Sequence, residues 1–535
     1  MTKKMMHLVL IAWLLLLNVD VRAQQSQSYD IVIYGATSAG IIAGYTALKM
    51  GKTAVVIGTD EHIGGLSSGG LGQTDIGNKA AIGGLSRRFY QDLGQYYGKA
   101  ESWTFEPKVA GSMFEKYIQE VQLPIIKNQR IGKVKKKKGT ITAVLLYPTY
   151  GKGKATQEIT GKVFLDCTYE GDLIALAGVP FMLGREDNSQ FKETLNGFQL
   201  PTYQKQSGWH QFPDHVSPYK TIGDPQSGLL WGISKDKPSR VGTGDKRIQA
   251  YNFRICLTDS AENRIPIERP TNYDPQKYEL LGRLIEAQPQ YTMVKNYFIW
   301  SKMPNRKTDI NNRGGFSTDM IGANYDWATA SFDRRKAIYN EHLEYTIGYL
   351  YFMQTDPRVP EHIRSYVKNW GLPKDEYVNN GHFTPQLYIR EGRRMLGAYV
   401  MSEHNCTGKE TAIDPIGLAA YTMDSHNTQR IIVDGMVKNE GNVEVGKFSP
   451  YQIAYNSITP KERDCTNLLV PVCLSSTHIA FGSIRMEPVF MILGESAAVA
   501  AVQAIEQKKS VQKIDRGQLR EELLRRQQIL EWKKN

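Results

Sequence analysis

The chain has 535 residues, 41% of them hydrophobic and 22% charged. That balance excludes a disordered chain, a collagen-like repeat and a small disulfide scaffold, and the length allows about three folded units or one composite enzyme. The 66 Lys and Arg exceed the 54 Asp and Glu for a formal charge of +12, spread along the chain apart from one lysine run, so no nucleic-acid partner is expected.

Residues 1–23 read as a signal peptide. Lys3 and Lys4 form a basic start, Leu8 to Leu17 is an apolar run too short to span a bilayer, and Val21-Arg22-Ala23 is a cleavage site. Cleavage after Ala23 and a periplasmic or secreted protein are expected. The Lys-Lys pair, in place of Arg-Arg, points to cofactor loading after export. Nothing later reads as apolar enough for a membrane span in the mature chain. Cys167, Cys256, Cys406, Cys465 and Cys473 lie far apart without any C-x-x-C, so no metal site is expected. Cys465 and Cys473 can pair in an oxidising compartment; isolated buried thiols are the other reading.

Ile31 to Tyr34 is a short apolar, β-branched run, the pattern of a buried parallel strand. Ser38 to Met50 has helical spacing, and Thr53 to Ile57 is a second buried strand. Gly35-Ala36-Thr37-Ser38-Ala39-Gly40 forms the first turn of this βαβ unit. Gly35 permits the turn, Gly40 lets helix and strand approach, and the helix N-terminus presents free N–H groups to a pyrophosphate. Two features depart from the usual pattern. Thr37 replaces the middle glycine, and Gly58 stands where an acid should hold the ribose, leaving Asp60 or Glu61 as substitutes. The loop His62 to Gly77 contains Gly64, Gly65, Leu66 and Gly70. Such a loop lets backbone lie against a flat ligand, as an extended FAD requires and NAD alone does not. His62 is either a covalent flavin tether or a packing residue of the loop.

With these motifs the sequence resembles the secreted bacterial FAD-dependent oxidoreductases often catalogued as xanthan-lyase-related. Their flavin domains are similar to those of L-aspartate oxidase and of the flavin-bearing component of heterodisulfide reductase. The resemblance is carried by IVIYGATSAG, HIGGLSSGGLGQTDIGN, WTFEP, FLDCTYEGDL, GDKRIQAYNFRICLTD, MPNRKTDINN, DPRVP, YIREGRRM, GLAAYTMDSHN and HIAFGSIRMEPVFMILGESAA. It implies an α/β, glutathione-reductase-like, Rossmann-type FAD domain with a large α+β insertion, and an FAD cofactor. The implied organisation is an FAD domain in two parts, 24–180 and 386–510, a substrate-binding insertion at 181–385, and a surface helix within 511–535. In Asp166-Cys-Thr-Tyr-Glu-Gly-Asp172 it implies a second nucleotide motif. Asp166 is then a cofactor contact, and Asp172 a contact or a helix cap.

Residues 113–121 read as an amphipathic helix. Residues 125–165 read as hairpins, with a turn at Lys135–Gly139, a strand at Thr140–Tyr147 and a returning strand at Val163–Asp166. Between 181 and 385 the βαβ rhythm disappears. Trp209, His210, Trp231, Trp300, Trp327 and Trp370 are candidates for sugar stacking or for packing. Residues 513–533 read as a helix whose inner face is Leu519, Leu523 and Leu524.

Three constellations suit chemistry. Arg390, Arg393 and Arg394 around Glu391 suit carboxylate recognition or a salt-bridge network. Asp424 and His426, two residues apart on a strand, suit an acid orienting an imidazole base. His478, Arg485, Glu487 and Pro488 precede an Ala-rich helix whose N-terminus, in this fold, faces the reduced flavin. The expected reaction is hydride transfer from a small polar, carbohydrate-derived or anionic substrate to flavin, with His426 or His478 as base and an electron acceptor as second partner. The rivals are a non-redox polysaccharide lyase or glycan-binding protein on the same fold, and an electron-transfer component like that of heterodisulfide reductase.

Overall fold

The computed structural model describes residues 26–200 and 208–533. The signal segment and its cleavage site lie outside the described residues. Strand β1 (Ser26–Tyr34) leads into helix α1 (Ser38–Lys49), strand β2 (Ala54–Ile57), helix α2 (Pro107–Val121) and strand β3 (Ile125–Ile126). A hairpin of β4 (Gln129–Lys137) and β5 (Thr140–Pro148) follows, then β6 (Gln157–Asp166). The sheet order is β3-β2-β1-β6-β5-β4, parallel from β3 to β6 and antiparallel beyond. Ile31 to Tyr34 and Val55 to Ile57 are wholly buried, which is why both strands are continuous apolar runs instead of alternating ones.

After β6 come helix α3 (Asp172–Leu176) and then a long helix α4 (Phe332–Thr355) within the irregular region. Strand β7 (Met423–Ser425) precedes β8 (Leu468–Leu469), helix α5 (His478–Ile484), helix α6 (Glu487–Gln507) and helix α7 (Arg516–Arg525). Strand β8 joins the first sheet from some 300 residues away, pairing parallel to Phe164 and Leu165 of β6. It fills the edge that β5 leaves when it diverges from β6. There the Asn467 side-chain amide accepts from Ile141 N (2.8 Å) and donates to Ile141 O and Lys162 O (2.8 and 2.9 Å), acting as a surrogate peptide group.

Several expected boundaries move. Pro107 starts α2 six residues before the amphipathic pattern becomes visible. The hairpin turn is only Lys138-Gly139, both left-handed, so Lys135 to Lys137 lie in β4. Lys136 is exposed, as expected of the run, but its ammonium also donates to Ala177 O and Asp464 O. The C-terminal helix spans only 516–525, with Leu519 and Leu523 buried and Leu524 exposed. Helix α6 is long and apolar enough to cross a membrane, contrary to expectation, yet 94% of its apolar window is buried within the fold. All five cysteines are buried and free, so Cys465 and Cys473 form no disulfide.

The first turn is set by contact at two glycines. Gly35 has φ +111°, and a Cβ on it would meet the Cys167 carbonyl at 2.7 Å. A Cβ on Gly40 would lie 1.9 Å from Gly35 O. Gly40→Val must therefore push α1 off β1. We expect a loss of roughly 3 kcal/mol or more in stability, read as a lower urea midpoint, together with loss of cofactor retention. A folded, cofactor-retaining variant would contradict this packing.

Candidate active site

A cavity of about 360 Å³ lies at the C-terminal ends of β1, β2 and β6, the place where open α/β sheets bind ligands. Gly35, Ala36 and Thr37 line it after β1, Thr59 and Asp60 after β2, and Thr168, Tyr169 and Glu170 after β6. From the middle of the chain Trp327, Phe332, Arg335 and Tyr339 cover it, and Gln386, Leu387 and Ile389 complete the lining. The N–H groups of Ser38 and Ala39 are buried and have no acceptor among the described residues, and the first turn of α1 holds no acid. An anion therefore fits there. The Thr37 side chain points away from that approach: it caps α1 by accepting from Gly40 N (3.3 Å) and donates to Cys167 O (2.8 Å).

The two candidates for the ribose contact are placed differently. Asp60 lines the cavity, whereas Glu61 turns outward to Asn128 and Lys127. Thr59 O accepts from Thr149 Oγ1 (2.6 Å), which fixes that end of the cavity. His62 packs its own loop, with Nε2 2.8 Å from Gly65 O.

Six other expected cofactor contacts bond or pack within the protein itself. Asp166 accepts from Thr168 N, Thr168 Oγ1 and Ile174 N (3.1, 2.7 and 3.0 Å), and burial raises its pKa to about 6. Glu487 accepts from Ser38 Oγ (2.5 Å), Ser67 Oγ (2.7 Å) and Tyr169 OH (2.5 Å). This carboxylate already sits at the N-terminus of α6, so the helix charge meets the chain's own anion before any flavin. Pro488 O accepts from Ser86 Oγ. Gly70 faces away from the cavity, since a Cβ there would meet Arg254 O at 2.3 Å. Gly64 and Leu66 shape the loop: Gly64 N donates to Ala36 O and Leu66 N to Tyr169 OH.

Asp172 caps no helix. It binds Arg335 through two hydrogen bonds (2.6 and 2.7 Å) and Arg393 through a third (2.7 Å), tying α4 and residue 393 to the cavity wall. Trp327 Nε1 donates to Glu170 (3.1 Å).

The proposed chemistry residues divide into two groups, and none of them lines the cavity. His426, Asp424, Arg390 and Arg485 meet in one buried ring. His426 Nδ1 lies 2.7 Å from Asp319 Oδ2, and Asp319 Oδ1 lies 3.2 Å from Arg390 Nη1. Arg390 stacks on Tyr388 at 4.5 Å, and Arg485 donates to Tyr388 OH (2.8 Å) and Asp424 O (2.9 Å). Asp424 Oδ2 is 3.7 Å from His426 Nε2, too far for a hydrogen bond. The orienting acid is thus Asp319, not Asp424. Burial and the Arg390 charge pull the His426 pKa down, but Asp319 and Asp424 outweigh them and hold it above its usual value. Burial opposes ionisation of Asp424, yet His426 and Arg485 hold its carboxyl well below the usual range.

His478 and Arg394 belong to a separate core network. His478 Nδ1 is 2.7 Å from Glu391 and Nε2 is 2.9 Å from Ser425 Oγ, so both ring nitrogens are engaged within the core and away from the cavity. Arg394 pairs with Glu391 (2.7 Å) and Glu186 (2.8 Å). Trp300, Trp370 and Tyr366 pack on one another, Trp231 stacks on Tyr345 and Arg313 covers one side of the exposed Trp209, whereas Trp327 lines the cavity. Among the described residues one acidic trio, Glu106, Asp375 and Glu376, has metal-like spacing, but Lys307 Nζ already sits 2.6 to 2.8 Å from each.

A family model described as FAD dependent oxidoreductase matches residues 30–523. The chain belongs to the FAD-dependent oxidoreductase family. The enzyme's cofactor is accordingly FAD; the cavity residues Gly35 to Thr37, Asp60 and Thr168 to Glu170, with the N–H groups of Ser38 and Ala39, could hold it. No curated protein matches the chain. Among solved structures it is similar to L-amino acid deaminase from Proteus vulgaris, at 12% identity over 37% of this chain and 56% of that one, with a TM-score of 0.24. It is also similar to THI4 from Thermovibrio ammonificans, at 13% identity over 36% and 80%, TM-score 0.23. The third is OxyS anhydrotetracycline hydroxylase from Streptomyces rimosus, at 12% identity over 30% and 36%, TM-score 0.22. The similar part of the chain thus spans about a third of OxyS.

Sequence reasoning missed Asp319, Arg335 and Tyr388, and named Trp327 only as a stacking or packing residue. Asp319 lies 107 residues from His426 and carries no local motif. Asp60→Ala should weaken FAD binding by about 1–3 kcal/mol, or roughly 5- to 150-fold in Kd. Glu61→Gln should leave it within about twofold, since an exposed pair contributes little. Fluorescence titration of apoprotein measures both; equal effects would undo the assignment of Asp60.

Proposed function

We propose that this FAD-dependent oxidoreductase acts in the periplasm or outside the cell, as a close relative of the secreted xanthan-lyase-related members. It removes two electrons and two protons, as a hydride and a hydroxyl proton, from a small polar substrate bearing an anionic group. The observation that carries this reading is the His426 ring: one nitrogen is held by Asp319, the other makes no hydrogen bond among the described residues, and two arginines stand beside it. The stretches YIREGRRM and GLAAYTMDSHN, which supply Arg390 and His426, support the narrower kinship.

Bound FAD supplies a two-electron acceptor for a substrate C–H. The chain's own residues do the rest. Asp319 accepts the Nδ1 proton of His426 and so fixes the tautomer in which Nε2 is the base. Nε2 takes the proton of a substrate hydroxyl as the carbonyl forms. Arg390 and Arg485 supply the positive field that a carboxylate or a developing oxyanion needs. With Trp231, Trp300 and Trp370 occupied by packing, an organic acid or polar alcohol suits this site better than a stacked sugar ring. An electron acceptor from outside completes turnover.

A panel of hydroxy acids and sugar acids, scored anaerobically by bleaching of the flavin band, tests the reading; His426→Gln should slow reduction roughly 10²- to 10⁴-fold and leave the oxidised spectrum intact. The pH dependence carries a sign. His426 has a raised pKa, so the basic form is lost as pH falls through a value above the ordinary imidazole value of about 6.5. Asp319→Asn removes one of the charges that raise it, while Asp424, Arg390, Arg485 and His210 remain. The acid limb of the stopped-flow rate should then move to lower pH. Near-normal rates in His426→Gln would remove the base assignment.

A further inference from the structure

Three arginines are completely buried among the described residues: Arg390, Arg394 and Arg430. The first two are paired with carboxylates and carbonyl oxygens. Arg430 is not. At 1% exposure, none of its three guanidinium nitrogens has a hydrogen-bond partner among the described residues. The group stacks on Phe316 at 4.7 Å and faces Phe212 at 6.0 Å. The Tyr345 hydroxyl beside it donates to Ser317 O (2.6 Å) and offers the guanidinium only a neutral oxygen, not a counter-charge. Gly232 lies next to Nη1, where a Cβ would stand 3.0 Å away. A guanidinium has five N–H donors, no acceptor and a charge that it does not lose at physiological pH. Buried charges of this kind persist only with a counter-charge or a ligand.

The position shows which ligand. Phe316, under the guanidinium, is three residues from Asp319, whose carboxylate holds His426. Asp319 is hydrogen-bonded to His426 and its charge also acts on Arg430, so the two groups surround one carboxylate. That negative charge disfavours a dianion such as phosphate. We propose that Arg430 binds the carboxylate of a small organic acid in bidentate fashion, with the rest of the acid directed towards His426. The carboxylate site stands on the burial and isolation of Arg430. Only the direction of the acid rests on the reading of His426 as base.

Acetate and propionate, which carry the carboxylate but no oxidisable hydroxyl, are the probes. Thermal unfolding of the FAD-loaded protein is titrated with each, against sodium chloride at equal ionic strength. The wild-type Tm should rise saturably with carboxylate and not with chloride. Arg430→Met should abolish the rise. Arg430→Lys, which keeps the charge but loses the fork, should need at least about tenfold more carboxylate. His426→Gln should keep the response, so the binding site can hold even where the base assignment fails. A wild-type response no greater than that to chloride would overturn the proposal. So would a response retained in Arg430→Met, or unchanged midpoints in Arg430→Lys should the methionine variant not fold.

Discussion

One buried carboxylate holds the cofactor region together. Glu487 receives hydroxyl hydrogen bonds from Ser38, Ser67 and Tyr169, which belong to the start of α1, the glycine loop and the exit from β6. An ionisable group at 3% exposure is costly unless every lone pair is used, and burial raises its pKa accordingly. The three donors offset that cost only when the three segments stand in one arrangement. The geometry of the nucleotide turn, the conformation of the glycine loop and the seat of α6 therefore depend on a single acceptor.

The sequence makes local periodicity readable and leaves long-range pairing unread. The βαβ unit, its turn glycines and the Ala-rich helix are visible because each is written in consecutive residues. The Pro107 start of α2 is also written there, as a proline at a helix's first turn. Other features have no local trace. Asp424 is the nearer acid to His426 in sequence, but a strand places alternate side chains on one face without fixing their distance, and Asp319 arrives from another part of the chain at 2.7 Å. Asp172 reads as a cap because a cap needs only its own helix; its partner Arg335 lies 163 residues on. The helix expected over 513–533 stops at Arg525, where the buried leucine face ends.

The chain's positive excess conceals how its interior charges are arranged. Arg185 pairs with Asp245 and Glu440, Arg254 with Asp75 and Asp309, Lys307 with Glu106 and Glu376, and Arg335 with Asp172. Several of these link the irregular middle of the chain to the segments around the nucleotide turn. Buried pairs add little net stability compared with well-packed apolar groups, but breaking one is costly, so they act against alternative arrangements. Helix α4 is held over the cavity by such a pair in addition to its buried apolar face.

Residues 387 to 390 form a partition one chain thick. Leu387 and Ile389 face the cofactor cavity, while Tyr388 and Arg390 carry a ring and a charge into the His426 cluster. Parity along four residues thus sets which chamber a side chain meets: odd positions the FAD-side cavity, even positions the His426 cluster. A change at one parity reaches the other chamber only through the backbone they share.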